Sequence, residues 1–326
     1  MSYSVAIRTL GTSPGTLRKE LLSLHRQTLM PDAILIYIAE GYARPDFRVG
    51  MERYIEVPKG MVSQRALDYN GINSEYILLL DDDVVLADDS AETLLRQAVE
   101  NSADCVAADT FANHRMSVAS KLKAIISNFV FPSYGREWAF RIHSNGSFSY
   151  INNPTNDVYP SQSAAGPASL WKKQSLLAIH LEDEIWLDRF GFAYGDDDLE
   201  FYKLYINGGR LLVSFSSGIV NLDSKSSSAS FQRDSRKYFV RSFSNLIRWH
   251  RMQYLPRKRW SRIPASFSFG FKEAWLCLIH LAISVTQFDV RPAKYFMSGI
   301  IKGIAFISSE EYKKLRKYKN ENIVLP

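Results

Sequence analysis

Apolar residues along this chain fall into short continuous runs, separated by stretches in which they recur every three or four positions. Val5 to Thr9, Ala33 to Ala39 (AILIYIA) and Glu75 to Leu80 (EYILLL) are nearly unbroken apolar runs. That is the pattern of strands covered on both faces. Intervening segments predict helices over 14–28, near 61–72 and near 89–101, with short strands at 53–57, 104–109 and 210–215. The alternation predicts an α/β fold with a doubly wound, mostly parallel sheet flanked by helices. Ligands bind such sheets beyond the carboxyl ends of the strands. Thr9, Glu40 and the triplet Asp81-Asp82-Asp83 all fall at strand ends and are expected around one crevice. From about 130 to 165 the chain turns polar and loop-rich, a place for a lid or acceptor loop. A second triplet, Asp196-Asp197-Asp198, follows Phe192-Ala193-Tyr194-Gly195 and opens a helix expected to run to about Asn207.

Composition narrows the class. With 326 residues, 46% of them hydrophobic and 23% charged, the chain is globular rather than disordered or fibrous. The net charge of +6 conceals a division: residues 1–224 hold 20 Lys and Arg against 28 Asp and Glu, and residues 225–326 hold 20 against 6. An acidic catalytic domain, 1–224, followed by a basic helical region, 225–326, is the expected organisation. The basic region interleaves Trp, Tyr and Phe with its charges. It contains Pro256-Arg257-Lys258-Arg259-Trp260-Ser261-Arg262 and two apolar helical stretches near 268–288 and 293–308. Such a segment suits the face of an anionic membrane. No nucleic-acid motif accompanies it, and nucleic acid is not an expected partner. The N-terminus reads as a strand start rather than a signal peptide, and no uninterrupted apolar window reaches the ~18 residues of a membrane span. Cys105 and Cys277 fit neither a disulfide framework nor a zinc site. A cytoplasmic protein, peripheral on the inner face of the plasma membrane, is expected.

The acidic triplets carry the candidate chemistry. Three adjacent carboxylates ending an apolar strand repel one another, and a hard divalent cation held by one or two of them together with substrate phosphates relieves that repulsion. On a strand, Asp81 and Asp83 point to one side and Asp82 to the other. The alternative is an acidic loop capping the next helix. The second triplet sits at a helix N-terminus, where the dipole favours anions, and capping alone accounts for one or two aspartates, not three. A carboxylate beside a metal-bound diphosphate can act as general base towards a hydroxyl, which describes group transfer from an activated nucleotide. The six histidines show no metal-ligand spacing.

Three blocks in this order resemble glycosyltransferase family 2, inverting nucleotide-sugar transferases of the GT-A fold that include bacterial surface-polysaccharide enzymes. They are SVAIRTLGTSPGTLRKELLSLHRQTLMPDAILIYIAEG; KGMVSQRALDYNGINSEYILLLDDDVVL; and AAGPASLWKKQSLLAI with GFAYGDDDLEFYKLYINGG. The resemblance covers residues 3–223. It implies Thr9 and Glu40 at the nucleotide base, Arg65 facing the nucleotide, Asp81 and Asp82 at ribose or donor sugar, and Asp83 as ligand of Mn²⁺ or Mg²⁺. It further implies Gly166 beside the donor sugar and Asp197 as catalytic base with Asp196 as its partner. Lys203 stands where the family often has Arg. The chain departs from the family's pattern at Ala39-Glu40-Gly41-Tyr42, where Asp-Asp-Gly-Ser is usual, and at Arg65-Ala66, where Arg-Asn is usual. The adjacency of Asp196, Asp197 and Asp198 leaves the register of the base open. Asp223 falls where relatives place a metal-binding His and is the candidate substitute. Asn245-Leu246-Ile247-Arg248-Trp249 is close to the Q-x-x-R-W of processive synthases, but reads as a helix face with Trp in the core.

The activity so implied is metal-dependent, inverting transfer of a sugar from a UDP- or GDP-type donor to a hydroxyl of a glycan or lipid-linked acceptor, in surface polysaccharide synthesis. The alternatives are another metal-dependent nucleotide-handling transferase, such as a nucleotidyltransferase, and a non-catalytic nucleotide-sugar-binding scaffold.

Overall fold

A computed structural model describes residues 2–110, 117–119, 122, 125–126, 137–151, 153–222, 231 and 233–318. The first strands form as their apolar runs require: β1 (Tyr3–Thr9), β2 (Ile34–Ala39), β3 (Glu52–Val57) and β4 (Tyr76–Asp81) pair in parallel in the order β3-β2-β1-β4. Beyond β4 the same eight-stranded sheet continues through β10 (Ala168–Lys172), β6 (Cys105–Ala108), β11 (Leu211–Ser214) and β9 (Val158–Pro160). Strand β10 is antiparallel to both neighbours, and β9 is antiparallel to β11. The expected mostly parallel sheet flanked by helices is the fold.

Alternation along each strand splits the core into two layers. Val5, Ile7, Leu78 and Leu80 face Leu17 and Leu21 of α1 (Pro14–Leu24) and Leu94 of α2 (Ser90–Glu100). Ala6, Leu35, Ile77 and Leu79 face the other way, towards Leu199 and Phe201 of the helix Asp196–Ile206 and Trp186 of the 3₁₀ segment Leu181–Phe190. Helix α1 stops at Leu24, four residues short of the expected end.

The helix expected near 61–72 does not form. Asp188 accepts hydrogen bonds from the amides of Val62 and Ser63 and from the Ser63 hydroxyl, which fixes a tight turn instead. A β-carbon at Gly60 would lie 2.1 Å from Asp188 Oδ2. Tyr69 closes the segment with a left-handed φ of 51°, a conformation no helix interior tolerates. The loop-rich stretch contains a small hairpin, β7 (Phe140–Ile142) with β8 (Phe148–Tyr150), and a separate two-stranded ladder pairs β5 (Val84–Leu86) with β12 (Ile219–Asn221).

After the sheet, the helix Lys237–Trp249 buries Phe243 and Ile247 in the same core layer as Trp186 and Phe201. A π-helical turn over His250–Tyr254 leads into the 28-residue helix Arg259–Thr286, followed by Arg291–Ile307 and the short Glu310–Lys314. The first of the two expected apolar helices thus begins nine residues earlier than anticipated and absorbs part of the basic run. In consequence, contrary to the sequence reading, one helix among the described residues is long and apolar enough to cross a membrane by length and composition, with 11% of its most apolar window buried.

Candidate active site

Strands β1 and β4 end side by side, Arg8 opposite Asp81. Helix Asp196–Ile206 starts at Gly195 and points its N-terminus at the same place. Between them lies a crevice of about 770 Å³ lined by Thr9, all three residues of each acidic triplet, Lys59, Gln64, Phe140, Phe148, Tyr194 and Arg248.

Arg65 ties the two triplets together. From a position only 5% exposed, Nη1 donates to Asp197 Oδ1 at 2.8 Å and to Glu200 Oε2 at 2.9 Å. Its Nη2 donates to the Gly166 carbonyl at 2.7 Å and to Asp81 Oδ1 at 3.2 Å. Arg8 clamps Asp81 from the other side, through Nε and through Nη2 at 3.0 Å from Oδ2. Asp196 lies farther from both cations, 3.7 Å from Arg8 and 3.8 Å from Arg65, and its Oδ2 has no hydrogen-bond partner.

These placements shift the carboxyls in different directions. Burial works against ionised Asp81, but Arg8 and Arg65 outweigh it and hold its carboxyl below the usual range. Asp82, half-buried and flanked by Asp81 and Asp83, is pushed up to about 6 although the Thr9 hydroxyl donates to it. Burial and then the adjacent Asp197 raise Asp196 against the pull of Arg65 and Arg8. Burial also raises Glu200, despite Arg65. Asp198 is raised by burial; it pairs with Arg248 and accepts from the Ser163 hydroxyl at 3.1 Å.

Among the acids of the second triplet, Asp197 is the most exposed, its side chain 34% accessible. Its other oxygen, Oδ2, accepts the Gly166 amide at 3.1 Å, so the carboxylate is fixed by two donors and open to the crevice.

Thr9, Arg65, Asp81, Asp82, Asp83, Gly166, Asp196 and Asp197 therefore come together, Gly166 through its contacts with Arg65 and Asp197. Glu40 does not join them: it is exposed on the turn after β2, outside the residues lining the crevice, where Tyr42 and Lys59 stand instead. Lys203 faces away, 3% exposed, pairing with Glu184 at 3.0 Å. The Leu222 amide donates to the Asp83 carbonyl at 2.8 Å, bringing the chain just ahead of Asp223 to the first triplet. Asp223 itself lies outside the described residues.

Sequence reasoning missed Arg8, Glu200 and Arg248. Glu200 was recoverable, since it follows Asp197 by three positions on a helix and so shares its face. Trp249 packs as expected, stacked on Phe269 with centroids 4.2 Å apart, but its neighbour Arg248 reaches the crevice rather than solvent.

No family model matches the sequence and no curated protein does. Among solved structures, the chain is similar to a mannosyltransferase, PcManGT from Pyrobaculum calidifontis, in complex with GDP-Man and Mn²⁺. Identity is 11% and the TM-score 0.46, over 93% of this chain and 86% of that one. It is similar also to GalNAc-T7 with UDP, GalNAc and Mn²⁺, at 13% identity and a TM-score of 0.48, over 89% of this chain and 58% of that one.

Proposed function

We propose that the crevice transfers a glycosyl group from a nucleotide-diphospho-sugar to an acceptor hydroxyl, with inversion at the anomeric carbon. The observation that carries this reading is the convergence of two aspartate triplets on one crevice, bridged by buried Arg65 and leaving Asp197 accessible. The sequence resemblance to glycosyltransferase family 2 supports it.

Asp197 accepts the proton of the acceptor hydroxyl as that oxygen bonds to the anomeric carbon. The bond from that carbon to the diphosphate breaks with its electron pair leaving on the diphosphate. Arg65 and the Gly166 amide hold Asp197 in place for this step. One base on one side of the sugar gives a single displacement and inverted configuration.

Among the described residues, no three His, Cys, Asp or Glu side chains form a ready metal cage. The donor set fits a cation that completes its shell with phosphate oxygens and water: Asp81 is saturated by guanidinium groups, while Asp82 is held up at about 6 in a crowded anionic surface. Asp83, with Asp82, would hold Mn²⁺ or Mg²⁺, which supplies counter-charge to the departing diphosphate. The aromatic lining of Phe140, Phe148 and Tyr194 suits the apolar faces of sugar rings, and the acceptor is read as a glycan or lipid-linked glycan of surface polysaccharide synthesis.

The test is nucleotide release from a panel of UDP-, GDP- and dTDP-sugars with Mn²⁺, Mg²⁺ or EDTA. Release from one donor, abolished by EDTA and by Asp83→Ala, is expected. Asp197→Asn should bind that donor by calorimetry and fail to transfer. If Asp197→Asn transfers normally, the assigned base is wrong; donor binding without turnover in the native chain would mark a binding protein instead.

A further inference from the structure

The hairpin of helices Arg259–Thr286 and Arg291–Ile307 leaves an apolar face uncovered while burying polar groups beneath it. Trp260, Ile263, Phe267, Phe271, Leu278 and Val285 are all exposed, Phe267 to 78%. Their spacings of three, four and seven put them on one face of the first helix from end to end. Lys272 is turned the other way, 4% exposed, with Glu273 at 3.6 Å. His280 also packs inward, its ring against Tyr238 and Phe296. Water favours the reverse arrangement, apolar groups in and charges out.

The second helix adds exposed Met297, Ile301 and Ile304. Cys277 Sγ lies 3.6 Å from Met297 Sδ, so the second helix's stripe meets the first helix on the flank of its own stripe. Phe288, at the tip between them, is 99% exposed. Lys258, Arg259, Arg291, Lys294 and Lys302 are exposed around these stripes.

We propose that this hairpin face lies flat in the headgroup–acyl boundary of an anionic lipid bilayer. Charge selects the occupant. The hairpin exposes Lys258, Arg259, Arg291, Lys294 and Lys302 around its stripes, so a second copy seated on the same face would meet like charge, whereas an anionic surface meets its complement. Geometry selects the mode. A spanning helix would have to leave its neighbour and carry Lys272, Glu273 and His280 into hydrocarbon. A one-sided stripe along a helix of about 42 Å fits in-plane seating. This inference stands apart from the proposed transfer reaction, because vesicle binding reads it without any activity.

The full chain is sedimented with phosphatidylglycerol-rich vesicles and with pure phosphatidylcholine vesicles. Preferential, salt-sensitive binding to the anionic vesicles is expected. The double variant Phe267→Ser/Phe271→Ser should bind at least about tenfold more weakly, with a melting temperature that falls far less than the binding does, because both side chains are more than half exposed. Lys294→Glu/Lys302→Glu should weaken binding by a similar factor. Trp260 fluorescence, isolated by subtracting Trp260→Phe, should be quenched by lipids brominated near the headgroup. Quenching only by lipids brominated at the chain ends would overturn the in-plane geometry. Unchanged vesicle binding in the Phe variant would overturn the stripe as the contact. Self-association abolished by that variant, without vesicle binding, would assign the face to a second copy.

Discussion

The Gly166 amide donates to Asp197 Oδ2 at 3.1 Å, and a β-carbon at position 166 would stand 2.0 Å from the other oxygen of that carboxylate. The two residues therefore define each other's position. Gly166→Ala must displace Asp197 or the backbone beside it. We expect kcat to fall at least about tenfold, since an ångström of misplacement has that scale of effect, with donor affinity less affected. Steady-state kinetics that separate kcat from KM check this. An unchanged kcat would mean Asp197 need not sit where it is seen.

Arg65 is a buried cation serving three carboxylates and a carbonyl. Arg65→Met leaves Asp197 and Glu200 without their guanidinium partner and should destabilise the fold by roughly 3–5 kcal/mol, the usual range for breaking a buried ion pair from one side. Burial raises Glu200 even in the presence of Arg65, so Glu200→Gln alone should cost little. The double variant should recover part of the loss. Urea denaturation of all four proteins closes the cycle.

Arg248 closes the crevice from the far end of the sequence. It pairs with Asp198, and a β-carbon at Gly195 would fall 1.9 Å from its Nη1. Gly195 also holds a left-handed φ of 80°, so Gly195→Ala is both strained and obstructed. Loss of the Arg248–Asp198 pair and a Tm lowered by several degrees are expected by differential scanning calorimetry, in line with about 1–3 kcal/mol of local backbone strain. Arg248→Gln leaves position 195 unstrained but strips largely buried Asp198 of its cation, so it too should lower Tm, through the lost ion pair rather than through backbone strain.

His250 predicts a pH dependence. Burial, then Arg251 and Arg262, push its ring down to about 4, and its Nδ1 lies 2.6 Å from the Tyr312 hydroxyl. Between about 6.5 and 4 the unfolded chain binds the proton that the folded ring refuses. Stability from this group is thus full above pH 6.5 and lost as pH falls towards 4. The loss is on the order of 2 kcal/mol. Subtracting the unfolding free energies of His250→Phe from those of the native chain across this range isolates the effect, and a flat difference would refute it.

Much of the sheet was legible because β1, β2 and β4 are apolar on both faces and cannot be mistaken for surface. Strand β10 was not legible: Ala168–Lys172 is five residues long, and its antiparallel insertion between β4 and β6 depends on partners distant in sequence. The spurious helix near 61–72 arose because Met61, Val62, Arg65, Ala66, Leu67, Tyr69 and Ile72 mimic helical spacing, while the Asp188 carboxylate 125 residues away dictates a turn. In the site, the acidic triplets were visible as anomalies of composition. Of their cationic partners only Arg65 was named, through the family resemblance; Arg8 and Arg248 were not, because an arginine at a strand end or on an amphipathic helix looks like surface until its neighbours are known.

The Arg248–Asp198 pair also bears on how such a chain can be rearranged over time. A wall of the crevice is completed by a helix encoded fifty residues downstream of the acid it meets. The basic tail is therefore not a cassette that a relative can exchange freely. Any replacement must bring a cation back to the same point, and positions 198 and 248 are expected to change together or not at all.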